Sequence, residues 1–390
     1  MMAGGCVRDR LLKHEPKDYD LATVAEPQTT LKFFREKGYT VIPVGIEHGT
    51  VSVVTQIQQV EITTLREDVA CDGRHAEVSF SNDFRQDALR RDFTINALFE
   101  DMNGQIHDFT GGVDDMNNHT LRFVGDAEAR LREDYLRMLR YFRFMARLGW
   151  EPEASQLEAI RHSLDGLAVL SAERIHNELI RILMGKYRAG TVELMSQQGM
   201  LRALFDWFCP DSSAAMSRAL GQFEGQDPAG YWFLLFHLGS NRQISGTELG
   251  EECIRLRFSK KGRKAVLSLN RVFQSRDNLW SLSVYALELL EKEILPSSEL
   301  NALISCYPWE EGSDAPRILT RLIQELDTRP APVIPQEALM QIEPGNRGKA
   351  IERVKIYWYC GLIDTIEELT RIMEDETTSR NESFSRDLFV

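Results

Sequence analysis

Over the first 121 residues the hydrophobic positions come in short runs. Tyr19–Thr23, Thr50–Val54, residues 60–65 and residues 105–109 are rich in Val, Ile and Thr and are bounded by Gly or polar residues, which predicts strands. Residues 7–12, 29–37 and 87–99 carry their apolar positions at helical spacing. Residues 66–85 are polar and lack a period, so a mobile loop is expected there. From residue 122 the period becomes helical, most clearly over 127–148 and 173–184, and no strand is expected after 124. The expected fold class is therefore α+β: a small mixed sheet with helices, followed by a long all-helical part. Pro330, Pro332 and Pro335 predict a break within 329–336, and the acidic stretch from Met373 is expected to be disordered. Divided on these changes, the chain reads as a head over 1–121, a helical neck over 122–185, a body over 186–330 and a tail over 331–390.

Bulk composition narrows the class. The chain has 390 residues, 43% hydrophobic and 27% charged, as soluble globular proteins do. No apolar run reaches 18 residues and no apolar segment follows Met1, so neither a membrane span nor a secretion signal is expected. The six cysteines form no CxxC pair, which argues for reduced thiols in the cytoplasm rather than a zinc site or disulfide framework. A net charge of −13 argues against a nonspecific nucleic-acid coat, but local basic patches decide RNA binding more than the sum does.

Three motifs carry chemistry. Gly4-Gly5-Cys6-Val7-Arg8-Asp9 opens a predicted helix; Gly5 lets backbone approach a ligand, and the helix start with Arg8 suits a phosphate. Asp18-Tyr19-Asp20 follows. On a strand these two acids share a face, and like charges side by side favour a hard cation such as Mg²⁺ between them. Glu61, on the apolar run Val60–Ile62, either completes that metal cage or points to solvent. Arg90-Arg91-Asp92-Phe93-Thr94 is expected to start a helix, with Phe93, Leu98 and Phe99 on its apolar face. Two arginines there oppose the helix dipole, so they serve either a ligand or a salt bridge to Asp87 or Asp92.

Together, GGCVRDRLLKHEPKDYDLAT and RRDFT resemble the class II tRNA nucleotidyltransferase and bacterial poly(A) polymerase family, which has a polymerase β-like head. The resemblance implies that Asp18 and Asp20 bind two Mg²⁺ ions for in-line attack of an RNA 3′-hydroxyl on a nucleoside triphosphate, releasing pyrophosphate. It implies that Arg91 contacts the incoming nucleotide while Asp92 supports the site. Residues 45–50 and 108–112 are similar to the family's linking segments. The family normally has a helix and a strand before the double glycine; here three residues precede it, so a central head strand is expected to be missing.

Asp134, Arg137, Arg140 and Arg143 are spaced by three along a predicted helix. Charge rows usually form a solvated face. An Asp that accepts and an Arg that donates also match the amino edge of cytosine or adenine, whereas uracil and guanine set a carbonyl against the Asp. Leaving one buried polar group unpaired costs about 1–3 kcal/mol, enough to discriminate. Glu133-Asp134-x-x-Arg137 is similar to the family's EDxxR motif. That similarity assigns Asp134 and Arg137 to base recognition, with Arg140 and Arg143 as further contacts. Arg174 and Glu178 match the family's ERxxxE element and are expected to pair at i,i+4 behind the N-cap Ser171.

Arg257, Lys260, Lys261, Arg263 and Lys264, after Arg255, form a basic cluster that either grips an RNA backbone or is a solvated loop. The lone His107-Asp108 dipeptide has no partners that would make a phosphohydrolase site. Family members make CCA, CC, A or poly(A) ends. The length of 66–85 argues against a CC-only product, and the acidic tail favours CCA addition to the tRNA 3′ end from CTP and ATP over a poly(A) tail. A non-catalytic RNA-binding derivative is the alternative from another class.

Overall fold

A computed structural model describes residues 1–360 except 44, 72–75, 241, 330, 333, 335, 337–339, 341, 343 and 346. The acidic stretch from Met373, and Pro330 and Pro335 of the expected break, lie outside the described residues. The chain divides into two compact units. One comprises residues 1–187 and 194–206, the other 188–193 and 207–390.

The first unit is built on a seven-stranded sheet. In chain order its strands are β1 Met2–Ala3, β2 Tyr19–Thr23, β3 Thr40–Ile42, β4 Thr50–Val54, β5 Gln59–Thr64, β8 Leu98–Glu100 and β9 Ile106–Asp108; β6 Arg66–Cys71 and β7 Ala76–Phe80 form a separate antiparallel pair. The spatial order is β3-β4-β5-β2-β1-β8-β9, with β2 and β5 parallel and the other neighbours antiparallel. β1 corrects the expectation of a missing central strand. Its two residues suffice to join the halves of the sheet, Met2 lying opposite both Leu21 and Glu100. β6 and β7 correct the expected loop over 66–85, where Arg66 and Glu67 pair with Phe80 and Ser79.

Helices cover this sheet. α1 Gly5–Leu11 follows β1, and α2 Pro27–Glu36 starts on a proline whose fixed φ suits a first turn. Leu31 and Phe34 of α2 pack on Val41, Val51, Val53 and Ile62 of the strands beneath. α3 Phe84–Leu89 is capped by Asp83, which accepts from the Arg85 amide. α4 Gly112–Asn117 then leads to α5 Ala127–Glu133 and α6 Leu136–Leu148, with α7 Ala154–His162 and α8 Ala172–Leu183 beyond. Phe93, fully buried, stacks on Phe123 at 5.0 Å and meets Phe144 of α6 edge-on at 5.2 Å, tying the sheet to the helices.

Two expected helices are corrected here. Residues 87–99 are not one helix: α3 ends at Leu89, Thr94–Asn96 is a single 3-10 turn, and β8 follows. Residues 127–148 are broken at Asp134, whose backbone is extended at φ −154° and ψ 103°.

The second unit is helical among its described residues, with helices such as Ser213–Gln222, Pro228–Leu238, Lys260–Gln274 and Ala315–Thr328. Pro228–Leu238 is apolar all round and its residues 229–236 are buried, as expected of a helix at the centre of a bundle. Ala315–Thr328 ends just ahead of the proline-rich segment. No helix among the described residues is long and apolar enough to cross a membrane. Cys6, Cys209, Cys253, Cys306 and Cys360 carry free thiols.

Candidate active site

A cleft of about 1080 Å³ opens in the first unit and gathers all three sequence motifs. Gly5, Asp18, Asp20, Glu61, Arg91, Asp134, Arg137, Arg140 and Arg143 line it, from segments up to 138 residues apart. Eleven basic side chains line it against seven acidic ones, so the cleft is locally positive within a chain of net charge −13.

Asp20 sits on β2, in register with Glu61 on the parallel strand β5. Asp18 lies one residue before β2 rather than on it. Although Asp20 is solvent-exposed, partial desolvation and then the neighbouring charges of Glu61 and Asp18 push its carboxyl above the usual carboxylate range, with Arg91 pulling the other way. Among the described residues these three carboxylates accept no hydrogen bond and join no ion pair, unlike the other four acids of the cleft. Asp9, Asp87, Asp92 and Asp134 are each tied to arginine. No set of three or more metal-ligating side chains is preassembled among the described residues, although Glu61 lines the same cleft as Asp18 and Asp20. Glu61 is exposed beside Asp20.

Gly4 caps α1 with φ 73° and ψ −124°, a conformation reserved for glycine, and a Cβ there would lie 2.6 Å from Arg91 Nη1. Arg8 lines the cleft as well, with its charge already engaged by protein partners. It is 4% exposed and donates to Asp9 Oδ1 from Nε at 2.9 Å and Nη2 at 2.8 Å, and to Asn96 Oδ1 from Nη1 at 2.5 Å. It braces the glycine turn rather than offering a free charge to phosphate.

Arg90 and Arg91 follow the end of α3 rather than starting a helix, so they complement its dipole instead of opposing it. The salt-bridge reading holds. Asp87, 1% exposed, accepts from Arg90 Nε at 2.8 Å and from Arg91 Nε and Nη2 at 3.1 and 2.9 Å. Burial opposes the Asp87 charge, yet the two guanidiniums hold its carboxyl below the usual range. Asp92 accepts from Arg140 Nε at 2.7 Å and from Asn96 Nδ2 at 3.1 Å.

The charged row is split. Asp134 lies between α5 and α6, where Oδ1 accepts from the Leu136 amide at 3.1 Å and Oδ2 from Arg174 Nη2 at 2.7 Å. Arg137 donates from Nη1 to Glu133 at 2.6 Å and to the Arg130 carbonyl at 2.7 Å. Asp134 and Arg137 thus stand on one wall with separate partners. Arg143 donates to Glu178 at 3.1 Å. Burial, then the charge of Arg140, brings the Arg143 guanidinium down to about 10. The expected Arg174–Glu178 pair is corrected, since Glu178 takes Arg143 and Arg181 while Arg174 serves Asp134. Ser171 does cap α8, accepting from the Arg174 amide.

Sequence reasoning missed Asp9, Asn96 and Arg147. Asp9 Oδ2 accepts from Arg147 Nη2 at 2.8 Å across 138 residues. No local pattern signals such a partner. The basic cluster belongs to the second unit, where Arg257 and the exposed Lys260, Lys261 and Lys264 surround the start of the helix Lys260–Gln274, with Arg263 half-buried.

Residues 1–122 match the poly A polymerase head domain, and residues 149–215 match the probable RNA and SrmB-binding site of polymerase A. The chain is 45% identical over 203 residues to the mitochondrial CCA tRNA nucleotidyltransferase 1 of Danio rerio, covering 51% of this chain and 47% of that protein. It is 40% identical over 205 residues to the CCA-adding enzyme of Streptococcus sanguinis, covering 52% of this chain and 50% of that protein. The chain thus matches about half the length of these curated relatives. A Thermotoga maritima CCA-adding enzyme complexed with tRNA shares the fold at a TM-score of 0.70 and 18% identity, covering 96% of this chain and 90% of that one. The Bacillus stearothermophilus CCA-adding enzyme in complex with CTP does so at 0.59 and 23%, covering 97% and 93%.

Proposed function

We propose that this chain, whose residues 1–122 match the poly A polymerase head domain, is an RNA nucleotidyltransferase that adds C, C and A to the 3′ end of tRNA from CTP and ATP. The observation that carries the reading is the group of three carboxylates, Asp18, Asp20 and Glu61, left without protein partners in a cleft otherwise rich in arginine.

Asp18 and Asp20 are the residues that would hold divalent cations, Mg²⁺ in this reading. Their hard oxygens fit such an ion, and the raised Asp20 carboxyl marks a negative charge that the fold leaves uncompensated. When bound, the metal supplies charge neutralisation for the triphosphate and activation of the attacking hydroxyl. The protein does the rest by placement. Arg91, anchored by Asp87 and the Asn96 carbonyl, points one edge of a fixed guanidinium at the nucleotide. Asp134 and Arg137, the latter donating to the Arg90 carbonyl at 3.3 Å, present an acceptor and donors to the base edge, which accepts cytosine and adenine and repels the carbonyl of uracil or guanine. Arg140 and Arg143 flank them. The similarity of about half of this chain to these relatives supports the reading, as do their names.

The test supplies the protein with Mg²⁺, a tRNA lacking its 3′ end and labelled CTP and ATP, and sequences the product. Termination after C-C-A is expected. Long A tails on unrelated RNA would identify a poly(A) polymerase, and no incorporation would identify a binding module. A cytoplasmic location belongs to the same reading and rests on the scattered, unpaired thiols, although the vertebrate relatives are named mitochondrial.

A further inference from the structure

We infer that Asp9 and Asn96 are positioning residues that lock the base-reading helix to the glycine turn through one closed chain of hydrogen bonds. The inference rests on the proposed function for the identity of the ligand, but its geometry stands alone.

The chain begins and ends on α6. Arg147 Nη2 donates to Asp9 Oδ2 at 2.8 Å. Asp9 Oδ1 accepts two bonds from Arg8, whose Nη1 donates to Asn96 Oδ1 at 2.5 Å. Asn96 Nδ2 donates to Asp92 Oδ1 at 3.1 Å, and Asp92 Oδ2 accepts from Arg140 Nε at 2.7 Å. Arg140 and Arg147 are seven residues apart, two turns of the same helix, so the chain fastens α6 at two points. Between them it runs through α1, directly behind Gly4 and Gly5, and through the 3-10 turn Thr94–Asn96.

Charge and donor count explain why the chain is one piece. Arg8 is 4% exposed, Asp9 6%, Asp92 8% and Asn96 8%, so none has water to fall back on. A buried guanidinium needs acceptors for its donors, and Arg8 finds them only in Asp9 and Asn96 among the bonds it makes. Asn96 is the only neutral member, and neutrality is what the position demands. Its amide oxygen must accept from Arg8 while its nitrogen donates to Asp92, which neither a carboxylate nor a cation can do. Low dielectric strengthens each link and makes loss of any one costly to its neighbours. The outcome is mechanical: the bearing of Arg140 in the cleft is set from the turn that faces the triphosphate, so base and phosphate contacts keep a fixed separation.

The test uses the full-length protein and compares Asn96→Ala and Asp9→Asn with the parent. Asp9→Asn keeps volume but sets an amide donor against Arg147. If the chain positions the nucleotide, the KM for CTP and ATP rises about tenfold, the effect of one lost charge-assisted hydrogen bond, while kcat stays within about threefold. A merely structural role lowers the active fraction, and so kcat, with KM unmoved; that result overturns the inference. Asn96→Ala combined with Arg140→Gln gives a second arm. Effects on KM that fail to add are expected if Asn96 acts through Arg140, and full additivity severs the link. Calorimetric CTP affinity in Mg²⁺ carries the same comparison without turnover. Absence of incorporation by the parent therefore counts against the proposed function and leaves this test standing.

Discussion

Replacing Asp20 by Asn removes a charge that its surroundings already disfavour. The carboxyl is pushed up by partial desolvation and by Glu61 and Asp18. A folded-state value above the unfolded one, near 3.9, means that the stability contributed by this group is fully present below about pH 4 and lost as pH rises through the raised value. At pH 7, without divalent cations, Asp20→Asn should therefore melt at a higher temperature than the parent, with the gap closing toward pH 4. Millimolar Mg²⁺ should raise the melting temperature of the parent and not of the variant. Nucleotide transfer should fall at least about a hundredfold, the scale of losing one electrostatic contact to a transition state. Equal melting temperatures at pH 7 would mean that no uncompensated charge is stored there. Opposite behaviour belongs to Asp87 and Asp92, whose arginine partners hold their carboxyls below the usual range against burial, and the sequence does not separate them from Asp20. Asp18, Asp20, Asp92 and Asp134 all read as site acids. What distinguishes them is a partner distant in the chain, such as Arg140 for Asp92 across 48 residues.

At the scale of elements, α3 and the two arginines after it depend on Asp87. Asp87→Ala leaves Arg90 and Arg91, which are largely buried, without their shared carboxylate. A loss of about 3 kcal/mol in urea unfolding is expected, the lower end for breaking a buried pair because both arginines reach the cleft. Since the Asp87 carboxyl is held below its usual value, its contribution is present above about pH 4 and lost as pH falls through the lowered folded value. The difference between parent and variant should accordingly be largest near neutrality and shrink in acid. A variant within about 0.5 kcal/mol of the parent at pH 7 would reduce the pair to a surface contact. Elements with strong local signals were legible in the sequence: β2 and β4 lie where their short bounded runs placed them, and α8 begins at its serine cap. Those that failed were decided by distant contacts. Residues 87–99 have apolar positions at helical spacing, but Phe93 is drawn into a stack with Phe123, and the bare Cα of Gly112 admits the Thr94 carbonyl so closely that a Cβ would lie 2.2 Å from it. The break at Asp134 is fixed partly by Arg174, 40 residues away. β1 is two residues long, too short to show any period.

Over the whole molecule, a net charge of −13 coexists with a positive cleft, so attraction of RNA must come from local fields. Such fields are read by salt. Each phosphate contact made by Lys or Arg adds to the fall of affinity with log salt by somewhat less than one unit. The cluster around the helix Lys260–Gln274 offers a direct measurement. Its lysines are exposed, they crowd the positive end of a helix dipole, and the N-cap is a neutral serine, so the element tolerates repulsion that no carboxylate in its first turn relieves. A solvated helix start should gain stability when Lys260 and Lys261 become Ser, and that gain is expected whichever role they play. The slope decides between the roles. If the cluster grips an RNA backbone, Lys260→Ser with Lys261→Ser lowers the salt slope of tRNA binding by about one to two units, while Asp20→Asn leaves it in place. A slope equal to that of the parent assigns the cluster to solvent and returns the whole of RNA capture to other surfaces.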